Sequence, residues 1–244
     1  MFIRTSLQKE FKLNRIFLIV YILIDRNRSI EDMSYITIGQ VLRKCGYRNV
    51  KRKTKIFFEV LKCLLFLRES NLIECDFDIY TVNYNDCIEI RVIKENFDVK
   101  DGFTKIYGKD LDMILDSDTG LSKESLLTVY LYVVSFIGSY KDSPGAFFRS
   151  IESMSRELSM SKDTISRCLD YLTASSDLHP ALLVKKEVGS IQTDKVRPPK
   201  NIPNIYVLNK KGYKREIAWA EKIIKEKYKV DKFYPLKNGN YQFH

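Results

Sequence analysis

Histidine is nearly missing from this chain of 244 residues: His179 and His244 are its two copies, far apart. No H-x-H or H-E-x-x-H spacing occurs, which argues against a metal-dependent nuclease or a nickase built on histidine ligands. His179 is followed by Pro-Ala-Leu and has no adjacent arginine, so the Arg, His and Tyr set of a tyrosine recombinase is not assembled. Cysteines number five (Cys45, Cys63, Cys75, Cys87 and Cys168), and no pair has C-x-x-C spacing. An odd count without that spacing fits neither a disulfide framework nor a zinc site. Cys63 and Cys168 fall on apolar helical faces and read as small buried hydrophobes. Free thiols point to a reducing, cytoplasmic setting. Ile16 to Ile24 is continuously apolar, but a bilayer span takes about 20 residues. Asp25, Arg26 and Arg28 follow without a small-residue cleavage site, so a buried first helix is expected rather than a signal peptide. No membrane partner is expected.

A phosphate-binding loop is also wanting. Gly102-Phe-Thr-Lys-Ile-Tyr-Gly108-Lys109-Asp110 approaches one. It has one residue too many between the glycines, and Asp where Mg²⁺ binding needs Ser or Thr. No catalytic residue, metal ligand or cofactor site emerges, and the chain is expected not to be an enzyme.

What the chain does have is positive charge. Lys and Arg number 41 against 31 Asp and Glu, giving a formal net charge of +10 and a pI near 9.2. With 45% hydrophobic residues it can bury a true core. A folded, basic protein suits a polyanionic partner, nucleic acid first of all.

Hydrophobic periodicity orders the chain. Residues 5–24 read as a helix with Ser6 as a candidate N-cap and Leu7, Phe11, Leu18 and Ile22 on its buried face. Thr37 and Gln40 have capping-box spacing, and Gly46 suits the position after a short helix. A turn at Tyr47-Arg48-Asn49 leads to a longer helix over 50–70, with Ile56, Val60, Leu64 and Leu67 inward. Residues 72–80 and 88–93 read as two strands around a turn at Asn83 to Asp86. The second half repeats this order. A helix spans 122–140; Ser150 caps a short helix carrying Ile151, Met154 and Leu158. Ser159-Met-Ser161 is a turn, and Ser161 caps a helix with Ile165, Cys168, Leu169 and Leu172 inward. Residues 181–187 and 204–208 are strands, Gly212 to Tyr228 is a closing helix, and 229–244 is a tail. Between the halves, Phe103 to Tyr107 reads as a strand and Asp110 to Leu115 as a helix.

The fold expected is therefore mainly α with small β-hairpin wings, an α+β tandem winged helix-turn-helix. Its domains are 1–96 and 119–209, with a connecting segment 97–118 and a C-terminal helix and tail 210–244.

One segment stands out chemically. Arg43, Lys44, Arg48, Lys51, Arg52, Lys53 and Lys55 crowd a short stretch that contains no acid. They span the end of one helix, a turn and the start of the next. In a helix-turn-helix the N-terminal end of the second helix enters the major groove, where Lys and Arg meet phosphates and base edges. In the second half the matching positions are Lys162, Thr164, Ser166 and Arg167, a mixture suited to reading bases. Asp163 beside them suits the helix dipole. Lys195, Arg197 and Lys200 lie in the loop of the second hairpin, where a basic wing tip would follow a phosphate backbone.

Phe147 through Leu172, Phe-Phe-Arg-Ser-Ile-Glu-Ser-Met-Ser-Arg-Glu-Leu-Ser-Met-Ser-Lys-Asp-Thr-Ile-Ser-Arg-Cys-Leu-Asp-Tyr-Leu, resembles the helix-turn-helix of winged-helix replication proteins of Gram-positive plasmids and phages. These are initiators and replisome organisers with a DnaD-like N-terminal domain. The resemblance covers roughly residues 97–210, and Phe103 to Tyr107 is similar to the strand that opens such domains. Ser159 departs from the pattern, which often has Gly there. The resemblance implies a sequence-specific double-stranded-DNA-binding protein of a mobile element. Its role would be replication initiation or accessory origin binding, with replication proteins as further partners and a homodimer as one assembly. A transcriptional regulator of the same fold, and a non-enzymatic protein-interaction module, are the alternatives.

Overall fold

Threonine and serine caps, rather than long uniform helices, punctuate this chain. The structure is a computed structural model and describes residues 2–4, 15–47, 53–93, 103–137, 145–176, 180–191, 200–230 and 232–234. Ser6, Leu7 and Phe11 lie outside them. The described residues form an α+β fold of eight helices and short antiparallel strands. They divide into two compact units, Met1–Leu131 and Tyr132–His244, with the boundary inside one helix.

In the first unit, α1 (Arg15–Arg26) buries every residue from Ile16 to Leu23 and then Ile24. A helix apolar on all sides must be central to its core. Strand β2 (Met33–Thr37) leads directly into α2 (Ile38–Lys44). Thr37 caps α2 by accepting from the Gln40 backbone N–H at 3.0 Å. Gly46, with φ near 90°, leaves α2 through the left-handed region that glycine adopts without a Cβ clash. Helix α3 (Lys55–Glu69) buries Phe57, Val60, Leu61, Cys63, Leu64 and Leu67. The hairpin β3 (Ile73–Cys75) and β4 (Cys87–Val92) follows. All three strands form one antiparallel sheet of order β2-β4-β3, with Tyr35 opposite Glu89 and Glu74 opposite Arg91. Strand β1 (Phe2–Arg4) pairs with β5 (Phe103–Lys105), and α4 (Gly108–Leu115) follows. Within this unit Tyr130, on α5 (Lys123–Ile137), donates to Asp110 Oδ2 at 2.6 Å, and both residues are buried.

In the second unit, α5 ends against β6 (Ala146–Phe147), with Tyr132, Phe136 and Phe147 packed ring to ring. Then come α6 (Ile151–Leu158), α7 (Lys162–Thr173), β7 (Leu183–Lys186), a ribbon of β8 (Ser190–Ile191) and β9 (Lys200–Asn201), β10 (Ile205–Leu208) and α8 (Tyr213–Tyr228). The main sheet has the order β6-β10-β7. Helix α8 covers it through Ala220 and Ile224, which share a core with Val188, Ile191, Ile205 and Val207.

The order α5, β6, α6, α7, β7, β10 thus repeats α1, β2, α2, α3, β3, β4. In each sheet the first strand pairs with the last, and the last with the middle one.

Several sequence expectations change. The strand expected over 72–80 is confined to Ile73–Cys75, and β1, β8 and β9 add to the expected strands. The long helix expected from residue 50 begins at Lys55: Thr54 is extended (φ −98°, ψ 171°) and occupies its N-cap position, so Lys53 precedes the helix. Residues 50–52 lie outside the described set. Strands β2 and β6 are additions: each is short and opens onto a helix, so the capping signals that follow obscure it. The expected tail contributes Tyr234, which bridges antiparallel to Ser190.

Candidate nucleic-acid interface

Two serines set the geometry of α6 and α7. Ser150 Oγ accepts from the Ser153 N–H at 3.1 Å, and Ser161 Oγ accepts from the Thr164 N–H at 3.1 Å. Each satisfies one of the amide donors that a helix start leaves open. Met154, Leu158, Ile165, Cys168, Leu169 and Leu172 then turn inward, as their helical spacing requires. Between the helices Ser159 sits in the left-handed region (φ 50°, ψ 45°). This is the position where glycine was the expected residue. Met160 is buried, its N–H bonds to the Ser155 carbonyl at 3.2 Å, and its own carbonyl accepts from Ser155 Oγ at 2.6 Å. The turn is therefore fixed by one apolar anchor and by hydrogen bonds of Ser155 with Ser159 and Met160.

Anchoring the inner face leaves the other face of α7 to solvent. Lys162, Asp163, Arg167 and Asp170 are exposed, while Thr164 and Ser166 are half-buried. Lys162 Nζ lies 3.0 Å from Glu152 Oε1 on α6. That contact holds the Glu152 carboxyl below its usual range. Thr164 Oγ1 lies 2.8 Å from Ser161 Oγ, so its hydroxyl is already engaged in the cap. Arg167 is exposed and forms no ion pair among the described residues, with Asp163 and Asp170 one turn to either side. All four expected residues of this helix therefore occupy its first two turns, with Arg167 the one cation among them that has no ion pair among the described residues.

Behind them, Glu157 ties α6 to α5. It accepts from Tyr132 at 2.8 Å and from Arg149 at 2.7 Å, and the Arg149 guanidinium lies 4.1 Å from the centre of the Phe136 ring. Burial, with the Glu157 bond second, pushes the Tyr132 hydroxyl up to about 12.

The basic stretch of the first unit is divided by its surroundings. Arg43 is exposed at the end of α2 and Lys55 is exposed at the start of α3, each without an ion pair among the described residues. Lys44 pairs with Asp116 at 2.6 Å. Lys53 donates to the Tyr80 carbonyl at 2.8 Å and lies 5.9 Å from the Phe57 ring centre. Arg48, Lys51 and Arg52 lie outside the described residues, as do Lys195 and Arg197. Lys200 is exposed on β9, with its ammonium 5.2 Å from the Tyr228 ring centre.

Basic residues that sequence reasoning passed over include Arg156 at the end of α6 and Lys186 on β7, both exposed. Arg156 stands alone in sequence and Lys186 has only Lys185 beside it, and only the placement of α6 beside α7 and the pairing of β7 with β10 gives them a context. Burial raises the Cys45 thiol, with Glu124 adding to the effect, and pushes Cys63 up to about 12. These are protonated core thiols rather than nucleophiles. Among the described residues no group of three or more His, Cys, Asp or Glu side chains could hold a metal ion, and no helix is long and apolar enough to cross a membrane. No family model matches this chain, and no curated protein matches it.

Proposed function

We propose that this chain is a double-stranded-DNA-binding protein made of two winged helix-turn-helix units, in which α7 enters the major groove and the hairpins act as wings. The observation that carries the reading is α7 itself. It is a serine-capped helix following a tight turn, with an anchored inner face and an outer face presenting Lys162, Ser166 and Arg167. Arginine in that place can hold a guanine through two hydrogen bonds, and a lysine beside it meets phosphate. The matching element order in the first unit supports a second DNA-facing helix, α3, approached through Arg43 and Lys55. The chain acts as a binder, not a catalyst. The likeness of residues 147–172 to plasmid and phage replication proteins favours origin recognition on a mobile element as its role.

Fluorescence anisotropy on a duplex of about 30 base pairs, roughly three helical turns, tests the reading. Binding should weaken linearly in log–log salt plots, at about 0.9 per neutralised phosphate and several units in all. A flat salt titration, or no duplex binding, rejects it. Footprinting on the DNA flanking the gene then separates origin binding from promoter binding.

A further inference from the structure

The end of α8 and the segment after it place lysines against aromatic rings beside the β8–β9 ribbon. Lys200 on β9 and Lys227 on α8 both approach the Tyr228 ring, at 5.2 and 5.7 Å from its centre. Lys225 stands 5.5 Å from the Phe233 ring centre and Lys232 5.5 Å from that of Tyr234. Lys229, in a left-handed conformation (φ 54°), closes the helix and is exposed.

This cluster is built, not incidental. Tyr234 exchanges two backbone hydrogen bonds with Ser190, at 2.8 and 2.9 Å, and so adds a third strand position to the ribbon. Tyr228, Val230 and Phe233 pack on the core beneath the ribbon. Carboxylates are close: Glu221 and Glu226 line one hollow with Lys225 and Lys229, the Glu226 oxygen is 3.9 Å from Lys222, and Asp231, between Lys229 and Lys232, lies outside the described residues. Yet among the described residues Lys200, Lys225, Lys227, Lys229 and Lys232 make no ion pair. Four of the five ammonium groups rest on ring faces, which hold a cation without neutralising it. Among the described residues no carboxylate takes up this charge, and the rings reduce the entropy that a free lysine loses on binding.

From this geometry we infer that the Lys200–Lys225–Lys227–Lys229–Lys232 cluster is a further DNA contact, separate from the recognition helices, which grips the phosphate backbone of duplex DNA beside the part read by α7. The inference rests on the DNA-binding reading above. The absence of arginine from the cluster sets its character. Lysine is a point charge that meets any phosphate equally, so the contact adds affinity without sequence preference. Single-stranded DNA is disfavoured as the occupant because base stacking needs free ring faces. The lysines already cover faces of Tyr228, Phe233 and Tyr234.

The test compares the full chain with a variant carrying Lys225→Gln, Lys227→Gln, Lys229→Gln and Lys232→Gln. Glutamine keeps most of the side-chain stem, including over the rings that Lys225, Lys227 and Lys232 meet. A random-sequence duplex of about 30 base pairs and an oligo-dT strand of equal length serve as probes. At roughly 0.9 per phosphate, the duplex salt slope should fall by about three to four units, and affinity near 0.1 M salt should drop by about 1000-fold or more. The double variant Lys229→Gln/Lys232→Gln, both exposed, should show about half that change in slope and serves if the fourfold variant does not fold. Wild-type duplex binding with an unchanged slope in the variants overturns this inference alone. Loss confined to oligo-dT overturns it in favour of a single-strand surface. Absence of duplex binding by the wild type rejects this inference together with the DNA-binding reading.

Discussion

Lys162 Nζ lies 3.0 Å from Glu152 Oε1, an ion pair between the start of α6 and the start of α7 whose side chains are 61% and 59% exposed. A pair this open adds little to stability. It does compete with DNA for the lysine. Glu152→Gln should therefore tighten duplex binding several-fold and steepen the salt slope by up to about 0.9, the value of one more phosphate contact. Anisotropy titrations at four or more salt concentrations read both. An unchanged slope means that Lys162 does not meet a phosphate.

Arg167 and Lys55 should separate specificity from affinity. Arg167→Ala is expected to lower the ratio of specific to non-specific duplex affinity, since one bidentate base contact is worth roughly 1–3 kcal/mol of discrimination. Lys55→Ala should weaken both affinities about equally. Competition with a footprinted duplex and its scrambled version is the measurement, and an unchanged ratio for Arg167→Ala rejects the base-reading role.

Ser161 and Ser159 should respond oppositely to small substitutions. Ser161→Ala removes an N-cap and should cost about 1 kcal/mol in urea unfolding. Ser159 is left-handed, so Ser159→Gly should be tolerated, while Ser159→Val should cost about 1–2 kcal/mol. Equal effects for Gly and Val would show that the turn does not hold this conformation in solution.

Tyr130→Phe removes the hydroxyl that donates to the buried Asp110 carboxylate. It should destabilise the first unit by about 1–3 kcal/mol, the usual cost of stranding a buried polar group. Thermal and urea unfolding with matched secondary-structure spectra would check this.

Cys63 predicts a pH effect with a definite sign. Burial, with Glu59 adding, carries its thiol from 9.0 to about 12. The folded chain keeps a proton that the unfolded chain releases, so this contribution is intact below pH about 9 and is lost as pH rises toward 12. Urea midpoints at pH about 8 and about 10 should therefore fall less in Cys63→Ala than in the wild type. Thiol reagents should reach exposed Cys87 first and spare Cys45, Cys63 and Cys168 until unfolding.

Local signals made most of the elements legible. Thr37 with Gln40, Ser150 and Ser161 each mark a helix start because a cap is decided by residues three apart. The inward positions of α7 follow from spacing alone. The basic stretch 43–55 shows what local reading misses. Its cations look equivalent in sequence, but Lys44 meets Asp116 and Lys53 meets the Tyr80 carbonyl, partners that only the fold brings near. The same holds for β1 with β5 and for Tyr234 with Ser190. Long-range pairing leaves no periodicity behind, and this is why Lys229, Lys232 and Tyr234 read as a tail.

That last pairing bears on how the chain can be shortened. Ser190 offers its backbone N–H and carbonyl to Tyr234 on the side of β8 away from β9. Ending the chain before Tyr234 would uncover that side as an open strand edge next to the apolar Ile191. Such an edge is a template for pairing with a neighbouring molecule. Trimmed versions should thus self-associate at concentrations where the full chain stays dispersed, and a solubility tag placed directly after Lys229 would provoke the clumping it is meant to prevent.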